Sequence, residues 1–209
     1  MKITKFITLV VSIFSTSLFA QTDKNIGVGL HIGDPTGITF KKYLDNEKSV
    51  EFIIGRTALW GHGYYASRFN NYDDFDGYNF VDYDLKSAIS LQGHYYLFQK
   101  DFSIGELDGF AWYAGVGGQF RVLTVKYKYQ YQTTTYCWGP SPNQCLYDTK
   151  YEEETKIDID FGIDFAGGME YTFSEVPITV FVDANLFLEI VNNPFFPRAQ
   201  SGVGGRYNF

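Results

Sequence analysis

The segment KIDIDFGIDFAGGMEYTF, residues 156–173, alternates between apolar and polar positions along its length. Its odd positions are apolar except for one glycine: Ile157, Ile159, Phe161, Ile163, Phe165, Met169, Tyr171 and Phe173. Its even positions include the carboxylates Asp158, Asp160, Asp164 and Glu170. Successive side chains of a β-strand point to opposite faces, so this strand would have an apolar face and an acidic face. A tilted strand needs roughly 9 to 11 residues to cross a bilayer, and we therefore predict a membrane-spanning strand.

Further segments of the chain alternate in the same way. They are residues 25–33, 37–44, 49–62, 85–99, 110–132, 178–190 and 201–209. Eight strands would be an even number and the smallest common size of an outer-membrane barrel. The connections would alternate between periplasmic turns at 45–48, 100–109 and 174–177 and outer loops at 34–36, 64–84, 133–155 and 192–200. We predict an all-β fold: a transmembrane, eight-stranded, antiparallel up-and-down β-barrel with meander topology.

Two irregularities interrupt the pattern. Arg56 falls on the predicted lipid-facing side of its strand, so we expect a bulge or a strand end nearby. In the fifth strand, Trp112 and Val122 define an outward face, but Val125 and Tyr127 continue the apolar series in the opposite phase. We interpret this shift as a β-bulge at the point where the strand leaves the membrane.

The composition agrees with β-structure and excludes other classes. The chain has 20 Phe, 17 Tyr, 3 Trp and 21 Gly among 209 residues, and these types are poorer helix formers than Ala, Glu, Lys and Leu. A net charge of -7 disfavours nucleic-acid binding, because contacts to phosphates require Lys and Arg. The composition therefore disfavours a helix bundle and a nucleic-acid partner.

Residues 1–20 have the features of a secretory signal peptide. Lys2 and Lys5 form the positive start, a mainly apolar stretch follows, and Ala20 provides a small residue before the cleavage site. The apolar stretch is shorter than the about 20 residues of a transmembrane helix, which disfavours a membrane anchor. We predict a signal peptide at 1–20 and one outer-membrane β-barrel domain at 21–209.

The chain ends in GGRYNF, and the spacing of Gly204, Tyr207 and the terminal Phe209 resembles the C-terminal sorting signal of outer-membrane barrels. Residues 29–44, GLHIGDPTGITFKKYL, resemble the opening hairpin of a group of small outer-membrane barrel proteins. The overall plan is similar to eight-stranded barrels of the OmpX and OmpA type. The resemblance implies a protein of the Gram-negative cell outer membrane that is inserted by the barrel-assembly machinery and surrounded by lipid and lipopolysaccharide. We expect it to be a monomer.

The polar faces of the predicted strands carry ionisable residues that would point into the barrel. They are Lys41, Glu51, His94, Arg121, Asp158, Asp160, Asp164, Glu170, Asp183, Glu189 and Arg206. Eight strands enclose a space only just wide enough for side chains, and an unpaired buried charge is costly. We predict an interior charge network in which Lys41, Arg121 and Arg206 face the acids, with a proton or ion path as the alternative. Because acids outnumber bases, some carboxylates should be hydrated or protonated.

The predicted third outer loop contains both cysteines of the chain, Cys137 and Cys145. In an exported protein such a pair predicts a disulfide, with two free thiols as the alternative. No His or further Cys lies near the pair in sequence to complete a metal site. In the second outer loop, a calcium-binding signature centred on Gly77 fails because Tyr72 and Tyr83 occupy its acidic positions. We predict no metal site and no cofactor.

The sequence predicts location and fold better than activity. Barrels similar to lipid A deacylase carry a Ser two residues after the catalytic His, whereas here Gly33, Tyr64 and Tyr96 follow the three histidines. We predict no catalytic residue and expect a non-enzymatic surface protein whose outer loops contribute to envelope integrity or adhesion. The alternatives are an outer-membrane hydrolase acting on lipid or lipopolysaccharide, a small cation-preferring channel, and a soluble β-sandwich.

Overall fold

The computed structural model describes residues 25–44, 47–57, 62–191 and 194–209. Within them, eight antiparallel strands follow one another in chain order and close into a ring. The strands are β1 (Ile26–Gly33), β2 (Thr36–Leu44), β3 (Lys48–Arg56), β4 (Asn79–Ile104), β5 (Leu107–Cys137), β6 (Cys145–Thr172), β7 (Ile178–Glu189) and β8 (Pro197–Asn208). A helix, α1 (His62–Phe69), follows β3 in the chain. The predicted signal peptide lies outside the described residues.

The first and last strands close the ring. Val28 of β1 lies opposite Phe40 of β2 on one side and opposite Tyr207 of β8 on the other. Every other strand pairs with its neighbours in sequence, as in the predicted up-and-down meander. The all-β, eight-stranded antiparallel fold is thereby confirmed. Closure satisfies backbone groups that an open sheet would leave at its edges.

Side chains alternate between the inside of the ring and its outer surface. In β6, Asp158, Asp160 and Asp164 are buried, whereas Ile159 and Ile163 are exposed. The polar face of the strand therefore points inward and the apolar face outward. Among the helices of the described residues, none is long and apolar enough to cross a membrane.

Glycines make room for large side chains inside the narrow ring. Phe181 packs against Gly204, where a Cβ atom would collide with the phenyl ring and with the backbone carbonyl of Leu30. At Gly117, a Cβ atom would collide with the His94 imidazole. Absent side chains at these positions allow the larger neighbours to fill the interior.

The predicted third outer loop, 133–155, is mostly β-structure, so that prediction is wrong. β5 and β6 continue as paired strands to Cys137 and Cys145, and residues 138–144 connect them. Thr and Tyr are frequent in this part of both strands, and both types favour β-structure. The polar character of the stretch suggested a loop, but cross-strand pairing makes it a long hairpin.

The predicted second outer loop, 64–84, also contains regular structure. α1 and a 3-10 turn (Asp73–Phe75) occupy its first half, and β4 starts at Asn79. At the opposite end of the ring, the predicted turn 100–109 is much shorter, because β4 ends at Ile104 and β5 begins at Leu107. The alternation located these strands but did not predict their full length.

The irregularity at Arg56 is a strand end, since this residue is the last of β3. The predicted bulge in the fifth strand is wrong: β5 pairs with β6 without a register shift from Phe110 to Thr134. The bulge lies instead in β4, where the pairing with β5 shifts between Leu85 and Ser87. The extra residue is therefore Lys86 in β4, the strand that pairs with β5.

The phase of β5 stays constant while the chemistry of its inner face changes. Val125 and Tyr127 face the interior and are completely buried (0% exposed). In β4 the bulge turns Leu85 inward, where it packs against the buried cluster that includes Val125 and Tyr127. The Lys86 side chain is half exposed. The alternation predicts the reverse, with Leu85 outward and Lys86 inward. A sequence pattern alone does not separate a change of phase from a change of environment on one face.

Candidate functional site

Most of the buried charged residues that the structure describes inside the ring belong to one of three groups. The first group lies toward the end of the ring with the short turns. Lys41 Nζ is 3.0 Å from Glu170 Oε2. Arg206 contacts Glu170 (Nη1 to Oε2, 3.4 Å) and also Glu51. The Tyr96 hydroxyl donates a hydrogen bond of 2.7 Å to Glu51. Two cations thus neutralise two carboxylates whose side chains have no contact with solvent.

The second group consists of two histidine–carboxylate pairs. His31 Nε2 is 3.1 Å from Asp183 Oδ1, and His94 Nε2 is 3.3 Å from Asp164 Oδ2. His31, His94 and Asp183 line an internal cavity of about 10 Å³, which corresponds to roughly one water molecule. The interior is therefore tightly filled at this level.

The third group lies toward the end with the long strands. Arg121 Nη2 is 2.7 Å from Asp160 Oδ2. Arg68, which α1 carries into the ring, is bonded to Asp158 through two nitrogens, with Nε 3.2 Å from Oδ2. This pair fastens the helix to β6.

The structure places all eleven predicted interior residues inside the ring. Asp183 is the most exposed of them, with 11% of its side chain accessible. Lys41, Arg121 and Arg206 each contact a carboxylate, as the charge network requires.

Sequence reasoning missed two interior cations, Arg68 and Arg198, because both fall in stretches predicted as loops. Arg198 Nη2 lies 3.9 Å from Glu189 Oε2. It continues the inward phase of Gln200 and Arg206 in β8, a signal that was lost by starting the predicted strand at residue 201. With these two cations the excess of interior acid is smaller than expected.

If the protein were a hydrolase, the two histidine pairs would be its candidate catalytic groups. A hydrolase of this kind needs a nucleophile within hydrogen-bond reach of its histidine. Among the described residues that line the cavity there is no Ser, Thr or Cys. No group of three or more His, Cys, Asp and Glu in the described part of the chain is arranged to hold a metal ion. The contacts of the two histidines are to Asp183, Asp164 and the Pro35 carbonyl.

We call residues 62–88 together with 123–158 the outer extension. Its inner side holds a cluster of buried apolar residues: Tyr65, Phe69, Phe75, Leu123, Val125, Tyr127 and Tyr129, with Ala88 beside them. The rings of Phe69 and Phe75 stack with centroids 4.2 Å apart, and Tyr65 stacks on Tyr83 at 4.3 Å. α1 and the 3-10 turn thereby cover an apolar sheet face that would otherwise meet water.

The opposite face of the outer extension is charged. Asp84 lies opposite Lys126 across β4 and β5, and Lys128 lies opposite Glu153 across β5 and β6. Lys126 forms an ion pair with Glu153, and Lys128 Nζ is 3.7 Å from the same carboxylate. The hydrogen bond from Lys126 lowers the pKa of Glu153 below its ordinary value. This arrangement is typical of a sheet face in water.

Lys156 connects the acidic turn of the predicted second loop to β6. Its Nζ is 2.6 Å from Asp74 Oδ2 and 2.6 Å from Glu154 Oε1. These hydrogen bonds, the one with Asp74 first, raise the pKa of Lys156. The Asp-rich stretch is therefore anchored at Asp74.

Residues 136–147 form what we call the disulfide tip. Cys137 and Cys145 are bonded and directly opposite each other in the hairpin, which confirms the predicted disulfide. The Tyr147 hydroxyl donates a hydrogen bond of 3.2 Å to the Pro142 carbonyl. The large side chains exposed here are Tyr136, Trp138, Leu146 and Tyr147. The tip presents these apolar groups on a cross-linked backbone.

The C-terminal residues of the predicted assembly signal lie at the closing seam of the ring. Tyr207 is paired with Val28 and Ile178, and the Phe209 amide donates a hydrogen bond of 2.8 Å to the Ile26 carbonyl. Gly204 faces Phe181. Recognition by the assembly machinery stays a prediction.

No protein-family model matches the chain, and no curated protein matches it.

Proposed function

We propose that the protein is an integral outer-membrane β-barrel of the OmpX/OmpA plan that acts without enzymatic activity at the cell surface. In this proposal the ring crosses the outer membrane, residues 1–20 direct export, and the chain is a monomer inserted by the barrel-assembly machinery. The outer extension projects from the cell and contributes to envelope integrity or adhesion.

The observation that carries the proposal is the continuous apolar outer surface of the ring. Each strand contributes exposed aliphatic or aromatic side chains: Leu30, Ile38, Ile54, Leu91, Phe120, Ile159, Val182 and Val203, in order from β1 to β8. A soluble protein rarely exposes more than a few hundred Å² of contiguous apolar surface. Charges inside and apolar residues outside are the arrangement expected of a membrane barrel, and they disfavour a soluble sandwich.

Aromatic residues near the short-turn end support a membrane boundary there. Phe110 and Tyr171 lie with ring centroids 4.6 Å apart, and Tyr171 contacts Phe173 at 4.9 Å. Phe98 and Trp112 form another pair at 6.4 Å. Such rings are typical of the girdles that flank the apolar band of outer-membrane barrels.

At the other end, the outer surface changes character at the same level on neighbouring strands. In β6 the outward series passes from Ile157 to Thr155 and Glu153, and in β5 it passes from Thr124 to Lys126. We infer that this level is the outer membrane surface. From Leu123 to the disulfide tip, β5 extends roughly 45 Å along the strand at about 3.3 Å per residue, long enough to project from the surface.

Two alternatives, an outer-membrane hydrolase and a small cation-preferring channel, have less support. No Ser, Thr or Cys is among the described residues that line the cavity beside His31 and His94, and this cavity of about 10 Å³ corresponds to roughly one water molecule. We expect the acyl pattern of lipid A to be unaltered when the protein is expressed. We also expect no steady conductance when the protein is added to planar bilayers.

Surface exposure can be tested with one epitope inserted between Pro140 and Ser141 and a matched epitope in the turn between Gly105 and Glu106. Antibody should bind intact cells carrying the first insertion and should reach the second only after the cells are opened. Recovery of the protein in the soluble periplasmic fraction, or the reverse pattern of labelling, would overturn the barrel proposal.

The role of the disulfide tip can be tested separately. Replacing Tyr136 and Trp138 by Ser removes apolar groups from the tip, whereas replacing Asp148 and Lys150 by Ser is a matched change lower in the same hairpin. We expect only the first pair to reduce attachment of cells to surfaces, at equal amounts of protein in the membrane. If both variants attach like the wild type, adhesion through the disulfide tip is excluded, and resistance of the cells to detergents measures an envelope role.

A further inference from the structure

A groove on the outer surface of the ring lies between the end of β3 and the bulged part of β4. It has a volume of about 410 Å³, and its lining includes Ile54, Gly55, Arg56, Lys86, Ser87 and Ile89. We call it the rim groove. It lies where the apolar surface of the ring meets the outer extension.

The bulge in β4 gives the groove its charged wall. Regular alternation would place neighbouring residues on opposite faces, but here Lys86 and Ser87 are both exposed, between the inward Leu85 and Ala88. A β-bulge commonly redirects a side chain in this way. β3 ends at Arg56, directly opposite Ile89. The second cation is therefore two residues from Ile54, which is paired with Leu91 in the first apolar pair of these two strands.

The groove is amphipathic along its length. Ile54 and Ile89 form an apolar floor on the ring side, with 54% and 58% of their surfaces exposed. Arg56 and Lys86 also line the groove, and both are exposed. Lys86 is 2.5 Å from Asp84, which engages one of the three donors of its ammonium group. The guanidinium of Arg56 has the planar fork that matches phosphate oxygens.

We infer that the rim groove binds an anionic lipid of the outer leaflet, with its phosphate between Arg56 and Lys86 and an acyl chain along Ile54 and Ile89. This inference rests on the proposed function, because it requires the ring to lie in a membrane. Two cations above an apolar floor complement a headgroup phosphate joined to a hydrocarbon chain. A zwitterionic lipid satisfies the cations less well, since its own positive group remains beside them.

The test uses the full mature chain, purified in detergent from an equimolar mixture of phosphatidylglycerol and phosphatidylcholine. Native mass spectrometry counts the lipids that stay bound. We expect the wild type to retain the anionic lipid preferentially and the Arg56→Gln, Lys86→Gln double variant to lose roughly five- to tenfold of that preference. The matched control is Lys42→Gln with Lys100→Gln, which removes two exposed cations toward the short-turn end of the ring and should keep the preference.

Equal retention of both lipids by the wild type, or an unchanged preference in the Arg56 and Lys86 variant, would overturn the inference. A further arm adds inorganic phosphate: if it displaces the lipid fully at low concentration, the site recognises phosphate alone and the acyl-chain part is wrong. Flotation with vesicles separates this from the proposed function. Proteins that fail to float contradict the membrane barrel itself, whereas proteins that float without a lipid preference contradict only the rim groove.

Discussion

The ring and the outer extension share strands, but their apolar faces point in opposite directions. The apolar face of the ring points outward, and that of the outer extension points inward. Along the inner face of β5, Gln119 and Arg121 are followed by Leu123, Val125 and Tyr127, all of them buried. On the outer face the order is reversed, from apolar residues to charged ones. The side-chain period is two throughout, so the strand geometry is constant, and the surroundings decide which face is apolar. In the proposed membrane barrel this reversal marks a change from lipid to water near residue 124, and the following variants test that proposal.

The largest difference in the free energy of unfolding should come from replacing one lysine by methionine in each region: Lys41 in the ring and Lys128 in the outer extension. Lys41→Met leaves Glu170 buried with less compensation, and breaking such a pair costs about 3 to 5 kcal/mol. Lys128→Met removes a half-exposed partner of Glu153, where screening by water makes the change in the free energy of unfolding small. Urea unfolding in lipid vesicles measures both. Equal losses would mean that the interior of the ring is hydrated like the surface of the extension.

The second test places a charge on the outer face of β6 at two heights. Ile163→Arg lies in the proposed apolar band and should destabilise the protein by about 2 to 4 kcal/mol in a bilayer. Thr155→Arg lies beyond the proposed boundary and should change stability little. The measurement is again urea unfolding in vesicles. A tolerated Ile163→Arg would show that this face is in water.

The predictability of the fold follows the same division. In the ring, one face of each strand is apolar, so residues such as Asp160 and Arg206 could be assigned to the interior from the period alone. In the outer extension both faces depend on partners that are distant in sequence. Val125 and Tyr127 continue the inward phase of β5, but the inner face can be apolar here because α1 packs against it, and nothing local to β5 shows this.

The interior network was predictable to the same extent. Cations within the predicted strands were found, but Arg198 lies before the predicted start of the last strand. Arg68 reaches Asp158 from a helix, and no strand period could indicate it. The amphipathic spacing of Tyr65, Arg68 and Phe69 was the available signal. The bulge was placed in the wrong strand because a shift in pairing belongs to both partners, and only the register shows that Lys86 is the extra residue.

The third test separates the stability of the tip from that of the ring. Replacing Cys137 and Cys145 by Ser removes the cross-link of the hairpin end and should destabilise the tip by about 2 kcal/mol. Limited proteolysis should then cut within 136–147 faster, while the urea midpoint of the ring stays unchanged. Reduction of the wild type should reproduce this result. A lower midpoint in both cases would mean that the two regions unfold as one unit.

The smallest effect should be seen at a single hydroxyl of the outer extension. The Tyr131 hydroxyl donates a hydrogen bond of 2.6 Å to Glu152, and this bond raises the pKa of Tyr131 to about 12. The bond favours the neutral phenol, so it persists below that pH and is lost as the pH rises through it. Glu152→Gln removes the negative charge and should lower the pKa toward its ordinary value near 10, whereas Glu175→Gln, in the turn after β6, should leave it unchanged. Alkaline titration of the tyrosine NMR signal measures the shift, and its insensitivity to Glu152→Gln would mean that this part of the hairpin pairs differently from the register described.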